Sequence, residues 1–91
     1  MRSKPSTEQI ETLRRMRQDP TGRLVRLPGG FWSTPSTPRA RNDRGYDVPE
    51  WSTAVQTVRA MEARGWVART NAHAEDWRDD REITDAGRLL A

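Results

Sequence analysis

Between Val55 and Leu90 the chain carries a helical period, a glycine stop, two short β-prone segments and a second helical start, an order that few folds accommodate. Val55, Val58 and Met61 recur at the spacing of one helix face. Gly65 follows Arg64 and supplies the left-handed conformation that turns a chain out of a helix. Trp66-Val67-Ala68-Arg69-Thr70 then reads as a strand, 71–78 as a polar tip and Arg81-Glu82-Ile83 as the return strand. Thr84 is placed to cap a final helix bearing Leu89 and Leu90.

The upstream half is read the same way. Ser6 and Gln9 have the spacing of a capping box, which predicts a helix over 7–18 with Ile10, Leu13 and Met16 as its apolar stripe. Arg14, Arg15 and Arg17 fall largely on its other side, and Asp19-Pro20-Thr21-Gly22 ends it as a turn. Residues 23–27 and 31–33 flank Pro28-Gly29-Gly30 as a hairpin, or one of these strands pairs instead with the later 66–84 hairpin. Residues 33–50 contain three prolines and almost no apolar side chain, so they are expected to form a loop, the most basic one through Arg39, Arg41 and Arg44. A helix over 51–64 follows. One face carries Trp51, Ala54, Val55, Val58 and Met61, and the other Ser52, Thr53, Gln56, Thr57, Arg59, Ala60 and Arg64.

With 91 residues, 33% hydrophobic and 32% charged, the core must be small and lean on the four tryptophans. Trp32, Trp51 and Trp66 are expected inside, and Trp77 folded back over the sheet rather than exposed as an anchor. There is no cysteine and a single histidine, His73, so no disulfide, thiolate metal site or imidazole cluster is available. The acidic residues near 75–80 lack the spacing and glycine of a calcium loop, and no nucleophile–base arrangement or phosphate loop is evident. The expectation is a protein without metal or cofactor that is not an enzyme. The N-terminus lacks the apolar run of a signal peptide and no window approaches a membrane span, which suggests a soluble, cytoplasmic chain.

Net charge is +3, but it is unevenly spread. Residues 1–50 carry ten basic and six acidic side chains, and residues 51–91 six basic and seven acidic, so a polyanion is drawn to the front half first. Fifteen of the sixteen basic residues are arginine, whose fork suits phosphates and base edges. A GC-rich genome gives the same bias.

The pair of motifs Val-Arg-Ala-Met-Glu-Ala-Arg-Gly-Trp-Val (58–67) and Arg-Glu-Ile-Thr-Asp-Ala-Gly-Arg-Leu-Leu (81–90) resembles the recognition helix and wing of MarR-type and PadR-type winged-helix transcriptional regulators. The resemblance covers residues 51–91. It implies an α+β fold, a small winged helix-turn-helix domain over 1–91 in which the basic loop takes the place of the second helix, unless 39–46 forms a short irregular helix.

The same resemblance implies a small bacterial or phage regulator that binds double-stranded DNA. The 51–64 helix would enter the major groove with Ser52, Thr53, Gln56, Thr57 and Ala60 toward the bases and Arg59 and Arg64 on the backbone. Arg39, Arg41 and Arg44, together with Arg14, Arg15 or Arg17, would add phosphate contacts. The wing carries Glu75, Asp76, Asp79 and Asp80 and would be repelled by DNA. This leaves a second expectation, a winged-helix interaction module that binds a host protein through Trp77, Asp76, Asp79 and Asp80 or through 33–50. A monomer is expected, since no long dimerisation helix follows the wing.

Overall fold

The computed structural model describes residues 4–27, 29–70 and 80–91. Expectations for the 71–78 tip, including His73, Glu75, Asp76 and Trp77, and for Asp79, lie outside these residues.

Helix α1 (Thr7–Gln18) begins where the capping box predicts. Ser6 Oγ accepts from the Gln9 N–H at 3.1 Å, and Gln9 Oε1 accepts from the Ser6 N–H at 2.9 Å, so two otherwise orphaned amides are satisfied. Ser6→Ala is expected to lower stability by about 1 kcal/mol, measurable as a shift of the urea midpoint at unchanged m-value. The helix buries Leu13, Met16 and Thr12; the Thr12 hydroxyl turns back to the Glu8 carbonyl at 2.8 Å.

Strands β1 (Arg23–Leu27) and β2 (Phe31–Ser33) pair antiparallel as a hairpin. Strand β1 also pairs on its other edge with a later strand, so both pairings considered from the sequence are present. Residues 39–49 correct the expectation of a loop: Arg39–Arg41 (β3) and Asp47–Pro49 (β4) form a separate two-stranded ribbon, with neither a loop nor a short helix at 39–46. The physical reason lies in its turn. Asn42 Oδ1 accepts the N–H groups of Arg44 and Tyr46, both at 3.0 Å, and Gly45 takes φ +80° between them, which reverses the chain without needing an apolar core.

Helix α2 spans Val55–Ala63, shorter at its start than the expected 51–64. Its end is a Schellman motif: the Trp66 N–H donates to the Met61 carbonyl and the Gly65 N–H to that of Glu62, both at 3.0 Å, with Gly65 at φ +76°. Strands β5 (Val67–Arg69) and β6 (Arg81–Ile83) follow, then α3 (Asp85–Leu90). Thr84 ties these elements together. Its hydroxyl donates to the Gly65 carbonyl at 2.6 Å and accepts from the Gly87 N–H at 3.2 Å, while its own N–H reaches the Trp66 carbonyl at 3.0 Å.

The sheet order is β2-β1-β6-β5, all antiparallel. All three helices pack on the face that carries Leu24, Trp32, Val67 and Ile83, and Leu13, Met16, Val58 and Met61 complete the buried core. Trp51 and Trp66 are partly buried against it. The described residues thus form an α+β fold of three helices with an antiparallel sheet and a ribbon. Among the described residues no helix is long and apolar enough to cross a membrane.

Candidate nucleic-acid interface

The outer side of α2 carries Gln56, Arg59 and Ala63, all exposed, with Thr57 and Ala60 half-buried on one flank and Arg64 exposed just beyond the last turn. Ser52 and Thr53 do not belong to this face, which corrects their assignment to a helix over 51–64. The backbone at Thr53 is extended and pairs with Trp32: the Thr53 N–H donates to the Trp32 carbonyl at 2.8 Å and the Trp32 N–H to the Thr53 carbonyl at 3.2 Å. Thr53 is buried, and its hydroxyl donates to Glu8 Oε1 at 3.0 Å. Ser52 is half-buried beside it. The edge strand β2 would otherwise leave its backbone groups unpaired, and satisfying them holds 51–53 out of the helix.

Arg39, Arg41 and Arg44 lie on the β3–β4 ribbon and all three are exposed. Arg39 and Arg41 share a face, two residues apart, with Asp47 opposite Arg41. The Arg41–Asp47 pair is long, 3.8 Å, and exposed on both sides, and with Asp43 also exposed the ribbon sets three arginines against two carboxylates. Tyr46 is 66% exposed next to the turn. The strands of the ribbon pack chiefly on each other.

What holds the ribbon is its base. Asp19, buried at the end of α1, accepts hydrogen bonds from the N–H and hydroxyl of Thr21 and from the N–H and hydroxyl of Ser36. Burial opposes ionisation of this carboxyl, but the bonds from Ser36 and Thr21 outweigh it and hold the pKa below the usual aspartate value. The Glu50 N–H donates to the Pro38 carbonyl at 2.8 Å, and the Ser33 hydroxyl to the Trp51 carbonyl at 2.7 Å, closing the two ends of the ribbon onto the sheet.

The arginines of α1 do not join this surface. Arg15 pairs with Glu11 at 3.2 Å and stacks over the Trp51 ring at 4.7 Å, and Arg17 donates to the Ala91 carbonyl at 3.2 Å. Arg14 lines the same shallow surface as Arg17 and Ala91, on the α3 side of the molecule. Of the acidic and aromatic residues considered for protein contact, only Asp80 is described. It is half-buried, and its carbonyl accepts from the Thr70 N–H at 3.2 Å.

A different set of arginines converges beside α2. Residues opposed across an antiparallel pair point to the same face, so the register puts Arg26 with Trp32, and Arg81 with both Leu24 and Arg69, on the face that the helices cover. That face is apolar next to α1 and α3, where Leu24, Val67 and Ile83 lie, and basic at the end leading to 71–79. The basic end borders a cleft of about 390 Å³ whose other wall is the first half of α2, with Val55, Val58 and Arg59. Arg81 is 8% exposed; its Nε donates to Glu62 Oε1 at 3.0 Å and its guanidinium lies 5.5 Å from the centre of the Trp32 ring. Among the described residues no cluster of three His, Asp or Glu side chains is placed to hold a metal ion.

No protein-family model, curated protein or solved structure matches this chain. The function must therefore be argued from the surface itself. Arg26, Arg69 and Arg81 were not singled out from the sequence as site residues. The available signal was the alternation Leu24-Val25-Arg26 and Val67-Ala68-Arg69, in which every second residue shares the core face and the later one is charged.

Proposed function

We propose that this chain is a cytoplasmic, non-enzymatic protein that binds double-stranded DNA on a winged-helix scaffold, as a small transcriptional regulator does. Support for the scaffold comes from connectivity. Helix α1, strand β1, helix α2 and the β5–β6 pair follow in that order, with β2 and the β3–β4 ribbon inserted between β1 and α2, and β1 lies beside β6 in the sheet. The β3–β4 ribbon stands where such a domain would carry its second helix.

The observation that carries the DNA reading is that ribbon: three exposed arginines and an exposed tyrosine on a two-stranded element, the other kind of element besides a helix that fits the major groove. Helix α2 adds Gln56 and Arg59 on an outward face, Gln56 suited to an adenine edge and Arg59 to a phosphate. Arg64 extends the same side. Thr57 and Ala60 border it.

Binding to a mixed-sequence duplex, followed by fluorescence anisotropy over a range of salt, is the test. Affinity is expected to fall steeply as salt rises. Arg41→Ala and Arg59→Ala are each expected to weaken binding on every sequence and to lower the salt slope by about 1, whereas Gln56→Ala relaxes sequence preference. A chain that stays unbound to duplex DNA at low salt overturns the reading.

A further inference from the structure

We infer that Asp47 is the base-reading residue of the ribbon and that it selects a cytosine in the major groove. The inference rests on the DNA reading of the ribbon and names what that surface recognises. Residues opposed across an antiparallel pair share a face, as do residues two apart on one strand. The register therefore sets Arg39, Arg41, Asp47 and Pro49 on one side of the ribbon, and Ala40 and Val48 on the other. The side that presents these arginines to DNA presents the Asp47 carboxylate with them.

The fold gains little from a carboxylate there. Aspartate is poorly suited to strands, and a long, exposed pair such as the one with Arg41 adds little stability. Among the described residues the Asp47 carboxylate accepts no hydrogen bond, the 3.8 Å contact with Arg41 being too long for one. Against phosphates alone it would only repel. Asp43 differs in place: it lies in the turn closed by Asn42 and Tyr46, beyond the strand register, so it serves as a control for charge without position.

At base edges the same charge discriminates. Cytosine shows the major groove an N4 amino donor, whereas guanine shows O6 and N7 and thymine shows O4, all acceptors that a carboxylate repels. Adenine sets its N6 donor beside the N7 acceptor. A carboxylate thus selects by rejection as much as by attraction, and it also weakens binding to every sequence that lacks the right donor. Reach divides the work on this face. The groove is about 12 Å wide and admits a two-stranded ribbon. A short aspartate directed at the floor meets base edges, while the longer Arg39 and Arg41, on the neighbouring strand, extend to the phosphates of the wall.

The experiment is selection by the full chain, at low salt, from short duplexes randomised at their centre, with the bound fraction sequenced and affinity for a mixed-sequence duplex measured alongside. Wild type is expected to enrich cytosine at one position about tenfold or more over guanine and thymine. Asp47→Ala erases that enrichment while tightening binding to the mixed duplex, because a repelling charge is gone. Asp47→Asn moves the preference to adenine, which an amide pairs bidentately. Asp43→Ala tightens binding and leaves the cytosine preference in place. All three substitutions are at exposed positions, and an unaltered melting curve for each verifies the fold. A bound pool without an enriched cytosine, or a cytosine preference that survives in Asp47→Asn, overturns the proposal and leaves DNA binding standing. Weaker binding of Asp47→Ala to every sequence does the same, since it marks a carboxylate that only steadies Arg41. A wild-type chain that binds no duplex at low salt overturns both this proposal and the DNA reading.

Discussion

Gly87→Ala is expected to cost about 3 kcal/mol or more of folding stability and to lower the melting temperature by more than about 10 °C. A Cβ at this position would sit 2.3 Å from the Trp66 carbonyl oxygen and 2.9 Å from Ile83 Cγ1. Neither neighbour yields cheaply. The Trp66 carbonyl is held by the Thr84 N–H at 3.0 Å, and Trp66 belongs to the Schellman motif that ends α2. Ile83 is a buried member of the core. To make room, α3 must move away from Trp66, which strains the Thr84 hydroxyl between the Gly65 carbonyl and the Gly87 N–H and breaks one of these two bonds. A domain of this size has a total margin of roughly 5–15 kcal/mol, so the loss is a large share of it. Thermal unfolding by circular dichroism checks this, with Ala86→Ser, at an exposed position one residue away, as the control expected to melt unchanged. Equal melting of Gly87→Ala and wild type would contradict the close approach of α3 to Trp66.

Asp19→Ala is expected to cost about 3 kcal/mol. It removes a buried acceptor that serves four donors from Thr21 and Ser36, and bonds to a charged group are the stronger kind. The damage has a local signature: amide exchange at Ser36, Thr37 and Glu50 should quicken more than at Leu13 or Met61, because Asp19 ties the base of the ribbon to the end of α1.

The same carboxylate gives a pH dependence of definite sign. Its folded pKa lies below the usual value because the bonds from Ser36 and Thr21 overcome the opposing effect of burial. A carboxylate with a lowered folded pKa contributes stability that is complete above its unfolded pKa and disappears as pH falls through the folded one. Wild-type stability should therefore drop as the pH is taken below about 4, and Asp19→Asn, which does not titrate, should show a shallower drop over that window. Urea unfolding at stepped pH separates the two; parallel curves would show that Asp19 carries no such linkage.

Local signals with a direct chemical reading were legible in the sequence. Ser6 and Gln9 announced α1 because both halves of a capping box sit within four residues, and Gly65 announced the end of α2 because a Schellman turn needs a left-handed residue there. Thr84 was likewise readable as a cap. The ribbon at 39–49 was hidden because its signal is a turn, Asn42 to Gly45, flanked by prolines and charged residues rather than by alternating apolar ones. An exposed ribbon has no apolar face to betray it. The start of α2 was misplaced for the opposite reason: Trp51, Val55 and Val58 keep a helical spacing, yet pairing of Thr53 with Trp32 outweighs it.

The candidate site divides in the same way. That Gln56 and Arg59 would lie outward on a helix followed from period alone, and that Arg39, Arg41 and Arg44 would be exposed followed from the lack of anything to bury there. The gathering of Arg26, Arg59, Arg69 and Arg81 around one cleft did not, since four residues from four elements meet only through strand register and the crossing of α2 over the sheet.

By itself, then, the sequence determined the caps of α1 and α3, the stop of α2 and the outward face of those helices' charged side chains, because those depend on neighbours within a turn or two of chain. The tertiary structure decided which edges pair, where extended backbone displaces helix, and which charges become neighbours. Those outcomes depend on backbone hydrogen bonds between distant segments, and a one-residue change of register in β1, β5 or β6 would have sent that strand's arginine to the opposite face, away from Arg59 on α2.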